Sequence, residues 1–343
     1  MAVAVMCLLP NAGSFGMTVS MALIFGLFAL MLLDTSINMA MQPFKMLVGD
    51  MVNEQQKAKA YSIQSFLCNA GSVMGFLFPF IFAAVGLSNV APEGVVPDTV
   101  IWSFYIGALI LILCVIYTTL KVKEWPPKEY AEYNGVADQS ASSGSWITLL
   151  KNAPSMFWKV GLVQFFCWAG MLYMWTYVVD AVSETVWGTI DPATDAYQTA
   201  ANWTGVLYAI QSVGSVVWAA MLPRFKNAKL AYAVSLLLGG LGFILIPNMP
   251  GQYLQIVPFL LIGCGWAAML AMPFTFVTNA LQGYGHMGAY LGLFNGTICV
   301  PQIVAALLGG TILTLVGGHQ STMMFVAGAS FLIGALCVVR LKD

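Results

Sequence analysis

From Gly16 to Leu33 the chain carries no charged residue. A run of that length crosses the hydrocarbon core of a bilayer as a single helix. Similar runs follow one another to the C-terminus, at about 17–45, 60–86, 99–120, 156–181, 202–222, 229–248, 252–281, 287–316 and 320–339. Ahead of them, Met1 to Leu9 is apolar but only about half a span long, and Pro10-Asn11-Ala12-Gly13 reads as a turn. The expectation is an all-α integral membrane protein with about nine full transmembrane helices and a partial first one.

Charged residues make up 8% of the chain and hydrophobic residues 59%, against about 25% charged in an average soluble domain. A net charge of −1 argues against a nucleic-acid partner. The seven cysteines are scattered through apolar runs with no CxxC pair, and read as small core hydrophobes. No basic region precedes a cleavable apolar core, so no signal peptide is expected. No nucleotide-binding, metal-binding or nucleophile motif is present in the sequence. The expectation is a protein that is not an enzyme and holds no cofactor or metal.

The basic residues set the orientation. All 13 lysines and arginines fall at the connections after the spans ending near 45, 120, 222 and 339, from Lys45, Lys57 and Lys59 to Arg340 and Lys342. The alternate connections, 10–16, 87–98, 182–201, 249–251 and 317–319, hold none. By the positive-inside rule the basic side is cytoplasmic. The longest polar stretch, 121–147, contains Pro126-Pro127 and a serine-rich tract from Ser140 to Ser145, and reads as a linker. The expected organisation is an N-terminal helical half over 1–120, a cytoplasmic linker over 121–150 and a C-terminal six-helix half over 151–343. A multi-pass plasma (inner) membrane protein follows, with its linker and C-terminus in the cytoplasm and no feature that calls for more than a monomer.

Within the first full span, Asp34, Asn38 and Lys45 form a polar stripe. Asn38 lies four residues after Asp34 and so shares its helical face, while Lys45 is eleven residues on, a rise of about 16 Å. An acid at the end of an apolar span reads as functional, because it is costly without a cavity or a partner. It also reads as a cap or a group satisfied by a neighbouring helix, and Lys45 as a lysine snorkelling to the interface. Asp180 has the corresponding place in the second half, either in cation coupling or as an outer-rim charge. Asp50, beside basic residues, reads as a gating or a capping charge.

A polar substrate requires hydrogen-bonding groups, together with aromatic faces where it carries C–H surface. Asn38, Gln64, Gln211, Asn295 and Gln302 are amides inside apolar spans, where an unpaired amide is costly. They are candidates for substrate binding, or for bonds between helices. Trp168 is the candidate stacking platform, and most other tryptophans read as interface anchors or core. Pro43, Pro273 and Pro301 are candidate hinges or simple kinks. His286 is a lone loop histidine and reads as incidental. An internal echo links the halves: Met39-x-x-x-Pro43-Phe44 recurs as Met269-x-x-x-Pro273-Phe274, and Ala60-Tyr61 as Ala289-Tyr290. With the central linker, these matches point to parallel repeats.

The run Asp34-x-Ser36-x-Asn38-x-x-x-x-Pro43-x-Lys45-x-x-x-x-Asp50 resembles the fourth-helix signature of the sugar:cation symporters of the major facilitator superfamily. Within it the likeness is to the sucrose/maltose:proton symporters and the related glycoside–pentoside–hexuronide symporters. It continues in Gly288-x-Tyr290-x-Gly292-x-Phe294-Asn295, in Val300-Pro301-Gln302, and in Trp168 and Asp180 with Val186-Trp187-Gly188. The resemblance implies two pseudo-symmetric helical halves and uptake of a sugar, a disaccharide or another glycoside, with H+ or another cation such as Na+. It implies a coupling role for Asp34 and Lys45, with lysine, a point charge, where the family usually carries the planar fork of arginine. It also implies that about two and a half helices, on the order of 80–100 residues, are missing before Met1. A non-transporting fragment or a membrane sugar sensor is the alternative expectation.

Overall fold

The computed structural model describes residues 1–16, 18–51, 54–92, 95–123, 129, 146–281 and 287–341. Among them every regular element is a helix. In chain order these are α1 (Ala2–Leu8), α2 (Val19–Met51), α3 (Glu54–Ala84), α4 (Asp98–Lys121), α5 (Trp146–Lys151), α6 (Ser155–Trp187), α7 (Asp195–Met221), α8 (Ala228–Leu245), α9 (Ile256–Ala280), α10 (Met287–Phe294), α11 (Gly296–Leu315) and α12 (Thr322–Val338), with short 3-10 turns at some ends. Among the described residues seven stretches are long and apolar enough to cross a membrane, including Ser20–Ala40, Asp98–Lys121, Ser155–Trp187 and Ala289–Leu315. Shorter apolar helices lie at Ala2–Ala12, Ala70–Ala84 and Thr322–Val338. The all-helical membrane fold is therefore the one the apolar runs dictate.

Several boundaries differ from the sequence expectation. The expected loop 182–201 shrinks to residues 188–194, since α6 runs on to Trp187 and α7 starts at Asp195, where the Thr194 hydroxyl caps it by accepting the Tyr197 N–H. The expected polar connection from Asn53 to Lys59 is helical from Glu54 onward, because Glu, Gln, Lys and Ala are all good helix formers. The expected turn at Pro10–Gly13 is a 3-10 helix, Leu9–Phe15, which accepts the proline at its start because a first-turn N–H needs no partner. The expected span 287–316 is one apolar stretch, Ala289–Leu315, with its helical hydrogen bonding locally perturbed at Asn295, between α10 and α11. There the Thr297 hydroxyl donates to the Phe294 carbonyl at 2.7 Å and so competes with the helical ladder. The expected linker falls largely outside the described residues, as does His286.

The described chain divides into two compact units, one of residues 1–67 and 81–145, the other of residues 68–80 and 146–343. In the first unit α1 packs on α2 and α4, and the Asn11 amide donates to the Tyr105 hydroxyl at 2.7 Å. The second unit holds most of the buried core. Its α8 and α6 each pack against both α9 and α12, with α7 against α9 and α11 against α6.

The centre of that core is a ring seated among glycines. Phe331 of α12 is fully buried. A Cβ placed on Gly170 of α6, Gly239 of α8 or Gly265 of α9 would lie 2.9, 3.0 and 3.0 Å from its ring atoms. Absence of a side chain on three helices thus makes the hole that one aromatic knob fills. In a lipid solvent this dispersion packing replaces the hydrophobic drive between helices.

Candidate functional site

Helix α6 carries a polar and aromatic stripe. Gln164, Trp168 and Trp175 follow one another at spacings of four and seven residues, which places them on one helical face. Trp266 of α9 meets that stripe. The ring centroids of Trp168 and Trp266 are 5.8 Å apart at 75°, and those of Trp175 and Trp266 are 6.0 Å apart at 79°. Trp168 and Trp175 are 6.2 Å apart and tilted by 56°. Edge-to-face contacts of this kind add about 0.5–1.5 kcal/mol each beyond the area they bury.

Burial is graded across the cluster. Trp175 is 42% exposed, Trp168 is 8% exposed and Gln164 is fully buried. Both polar atoms of the Gln164 amide and the indole Nε1 of Trp168 are buried without a hydrogen-bond partner. Leaving such a group unpaired costs on the order of 1–3 kcal/mol.

In the first unit Asp34 and Asn38 are brought together as their spacing requires. The Asn38 Nδ2 donates to Asp34 Oδ1 at 3.0 Å and to the Asp34 backbone carbonyl at 2.9 Å. On the same helix, Ser36 donates its hydroxyl to the Leu32 carbonyl at 2.6 Å. The acid is thus braced from within its own helix. Lys45, Asp50 and Pro43 also lie on α2, but their side chains are outside the described residues.

Asp180 lies near the C-terminal end of α6, where its Oδ1 accepts the Tyr197 hydroxyl of α7 at 2.6 Å. One turn further along α6, Glu184 reaches the turn before α12. Gln211 is buried in α7 with Oε1 unpartnered, and Gln64 in α3 has an unpartnered Nε2. Asn295 is exposed at the α10–α11 junction, and Gln302 is half-buried on α11 beside the buried Pro301. Pro273 is buried inside α9, which continues past it to Ala280.

Trp175, Trp266 and Gln164 are residues that sequence reasoning passed over. The first and last were findable, since they stand at helical spacing from Trp168. Trp266 was not, because nothing in the sequence says which face of a distant span meets α6. Among the described residues no group of His, Cys, Asp and Glu is arranged to hold a metal.

The family model of the Major Facilitator Superfamily matches residues 1–305. No curated protein matches the chain. Among solved structures the fold is similar to a crystal structure of a bacterial homologue of the human lysosomal transporter Spinster, in an inward-facing and unoccupied conformation. That likeness has a TM-score of 0.52 at 15% sequence identity, and covers 98% of this chain and 81% of the other.

Proposed function

The chain belongs to the major facilitator superfamily, and from that premise we propose that it takes up a sugar, a disaccharide or related glycoside, together with a proton. As a member of that family it is a multi-pass secondary transporter and not an enzyme. The observation that carries the sugar reading is the cluster of Trp168, Trp175 and Trp266, with one ring exposed and one buried. Aromatic faces accept the C–H surface of a pyranose, and nearby amides accept and donate to its hydroxyls.

The cation part of the proposal rests on the Asp34–Asn38 pair. A carboxylate within an apolar span changes charge only at a cost that its surroundings set. Sugar binding and protonation then bias one conformational equilibrium, and each favours the other by the same factor. Lys45 and Asp180 are proposed as further coupling groups, and Asp50, Pro43 and Pro273 as gating positions. Alternating access would rock two repeat-related halves around a midplane site. The basic connections are proposed to face the cytoplasm, with a monomer in the plasma membrane as the working unit.

The test is sugar-induced alkalinisation of a weakly buffered suspension of cells expressing the chain. Sucrose, maltose and several monosaccharides would be added in turn. A rise in external pH with one sugar is the expected outcome. Uptake of labelled sugar that requires Na+ and moves no protons would instead make the coupling ion Na+. Absence of both uptake and pH change for every sugar would sink the sugar reading.

A further inference from the structure

We propose that Gln164, with the indole N–H of Trp168, is the element of the tryptophan cluster that reads substrate hydroxyls. The assignment rests on the sugar reading above. Gln164 lies in the fully buried part of α6, yet neither its Oε1 nor its Nε2 has a partner. Trp168 Nε1, one turn along the same face, is likewise buried and unpartnered. Buried amides and indoles are almost always hydrogen-bonded, so three orphaned atoms on adjacent turns of one face mark a place where partners arrive from outside.

The set is chemically specific. It offers one acceptor and two kinds of N–H donor beside an aromatic wall. A hydroxyl needs both, since it donates one hydrogen and accepts through its lone pairs. An apolar ligand would leave the amide orphaned, and an anion would face the Gln164 carbonyl oxygen without a proton to give it. Neighbouring hydroxyls on one edge of a pyranose carry both the donors and the acceptors that Oε1, Nε2 and Nε1 lack, and its C–H face is of the kind that tryptophans accept. Gln164 is thus a specificity-determining residue, and the tryptophans supply contact area that any glycoside could use.

Two consequences separate this role from a structural one. A polar group held ready for a ligand destabilises the empty protein, so an apolar residue of similar size removes a penalty. Sites built to hydrogen-bond a hydroxyl also reject analogues lacking it.

The experiment measures binding by tryptophan fluorescence of the purified full chain. The probe is whichever of sucrose and maltose perturbs the emission, compared with its monodeoxy analogues. The wild-type protein is expected to bind one or two of those analogues about tenfold more weakly than the parent, as the loss of one or two net hydrogen bonds requires. Gln164→Leu is expected to bind the parent about tenfold more weakly and to stop distinguishing those analogues. Its melting temperature without sugar should be no lower than that of the wild type. Gln164→Met gives the same comparison should the leucine variant fail to fold. If neither sugar changes the wild-type emission or binds in parallel calorimetry, the sugar reading and this assignment both fall. If the wild type binds but Gln164→Leu discriminates the deoxy analogues equally well, only the assignment falls. It falls alone also if Gln164→Leu melts lower with unchanged binding, because the amide then holds a structural water.

Discussion

The carboxylate of Glu184, near the end of α6, caps a helix that lies more than a hundred residues further along the chain. Its Oε2 accepts the backbone N–H of Ser321 at 2.9 Å, at the start of α12. Its Oε1 lies 2.7 Å from His319 Nδ1. The first contact satisfies one of the orphan donors of a helix N-terminus and sets a negative charge at the positive end of the dipole. The second joins two side chains of which His319 is 68% exposed.

The two contacts are therefore of unequal worth. Glu184→Ala is expected to lower stability by about 1–2 kcal/mol, as loss of a cap does. His319→Ala is expected to cost less than about 0.5 kcal/mol, since a contact made by a side chain this exposed contributes little. Thermal unfolding of the two purified variants would show the difference. Equal losses would mean that the imidazole, and not the helix cap, carries the contact.

Asp180 and Tyr197 provide a second contrast. The phenol donates to the carboxylate at 2.6 Å, so Tyr197→Phe should destabilise the protein by about 1–2 kcal/mol. Asp180→Asn keeps an oxygen that accepts the same bond and should cost less than Asp180→Ala. A double-mutant cycle between positions 180 and 197 should return a coupling energy of about 1 kcal/mol. A coupling energy of zero would dismiss the bond.

The close approach of α7 and α9 is tested at a glycine. A Cβ on Gly263 would lie 2.5 Å from the Gln211 carbonyl oxygen and 3.0 Å from the Ser215 nitrogen. Both are backbone atoms and neither can rotate away. Gly263→Ala should therefore cost about 1–3 kcal/mol through forced separation of the helices. A Cβ on Gly26 of α2 meets nothing within 4 Å, and Gly26→Ala should be neutral or stabilising by up to about 1 kcal/mol, from helix propensity. Equivalent effects of the two changes on the unfolding midpoint would contradict the packing described.

On the proposed coupling role, Asp34→Asn removes the ionisable carboxylate while leaving an amide oxygen that still accepts the Asn38 bond. Sugar binding is expected to persist within about threefold, while sugar-driven proton movement is lost. Counterflow exchange of labelled sugar in vesicles, which requires no net proton movement, should continue. Asn38→Ala should weaken the pH dependence of uptake without abolishing it, because it removes the brace and leaves the acid. Unchanged accumulation and pH dependence in Asp34→Asn would end the coupling role.

Part of the candidate site was legible from spacing alone. Asp34 and Asn38 stand four residues apart, and on any α-helix that separation brings the side chains to one face, so their contact needed no tertiary information. Trp168 was legible as an aromatic within an apolar span, but its partners were only half so. Trp175 lies on the same face by period, whereas Trp266 is brought to it by the packing of α9 against α6. The local perturbation at Asn295 escaped because a single threonine hydroxyl competing for a carbonyl leaves no trace in hydropathy.

The sequence by itself determined the membrane class, the helical nature of the described spans and their approximate places along the chain. The reason is that lipid offers no hydrogen bonds, so an apolar run of sufficient length has to pair its own backbone. Only the tertiary structure decided which faces meet. Apolar residues surround every span, so hydrophobic periodicity is silent about partners. The choice falls instead to shape, as when Phe331 finds the hole left by Gly170, Gly239 and Gly265. The same packing left the Gln164 amide enclosed beside the tryptophans with its hydrogen bonds unmade.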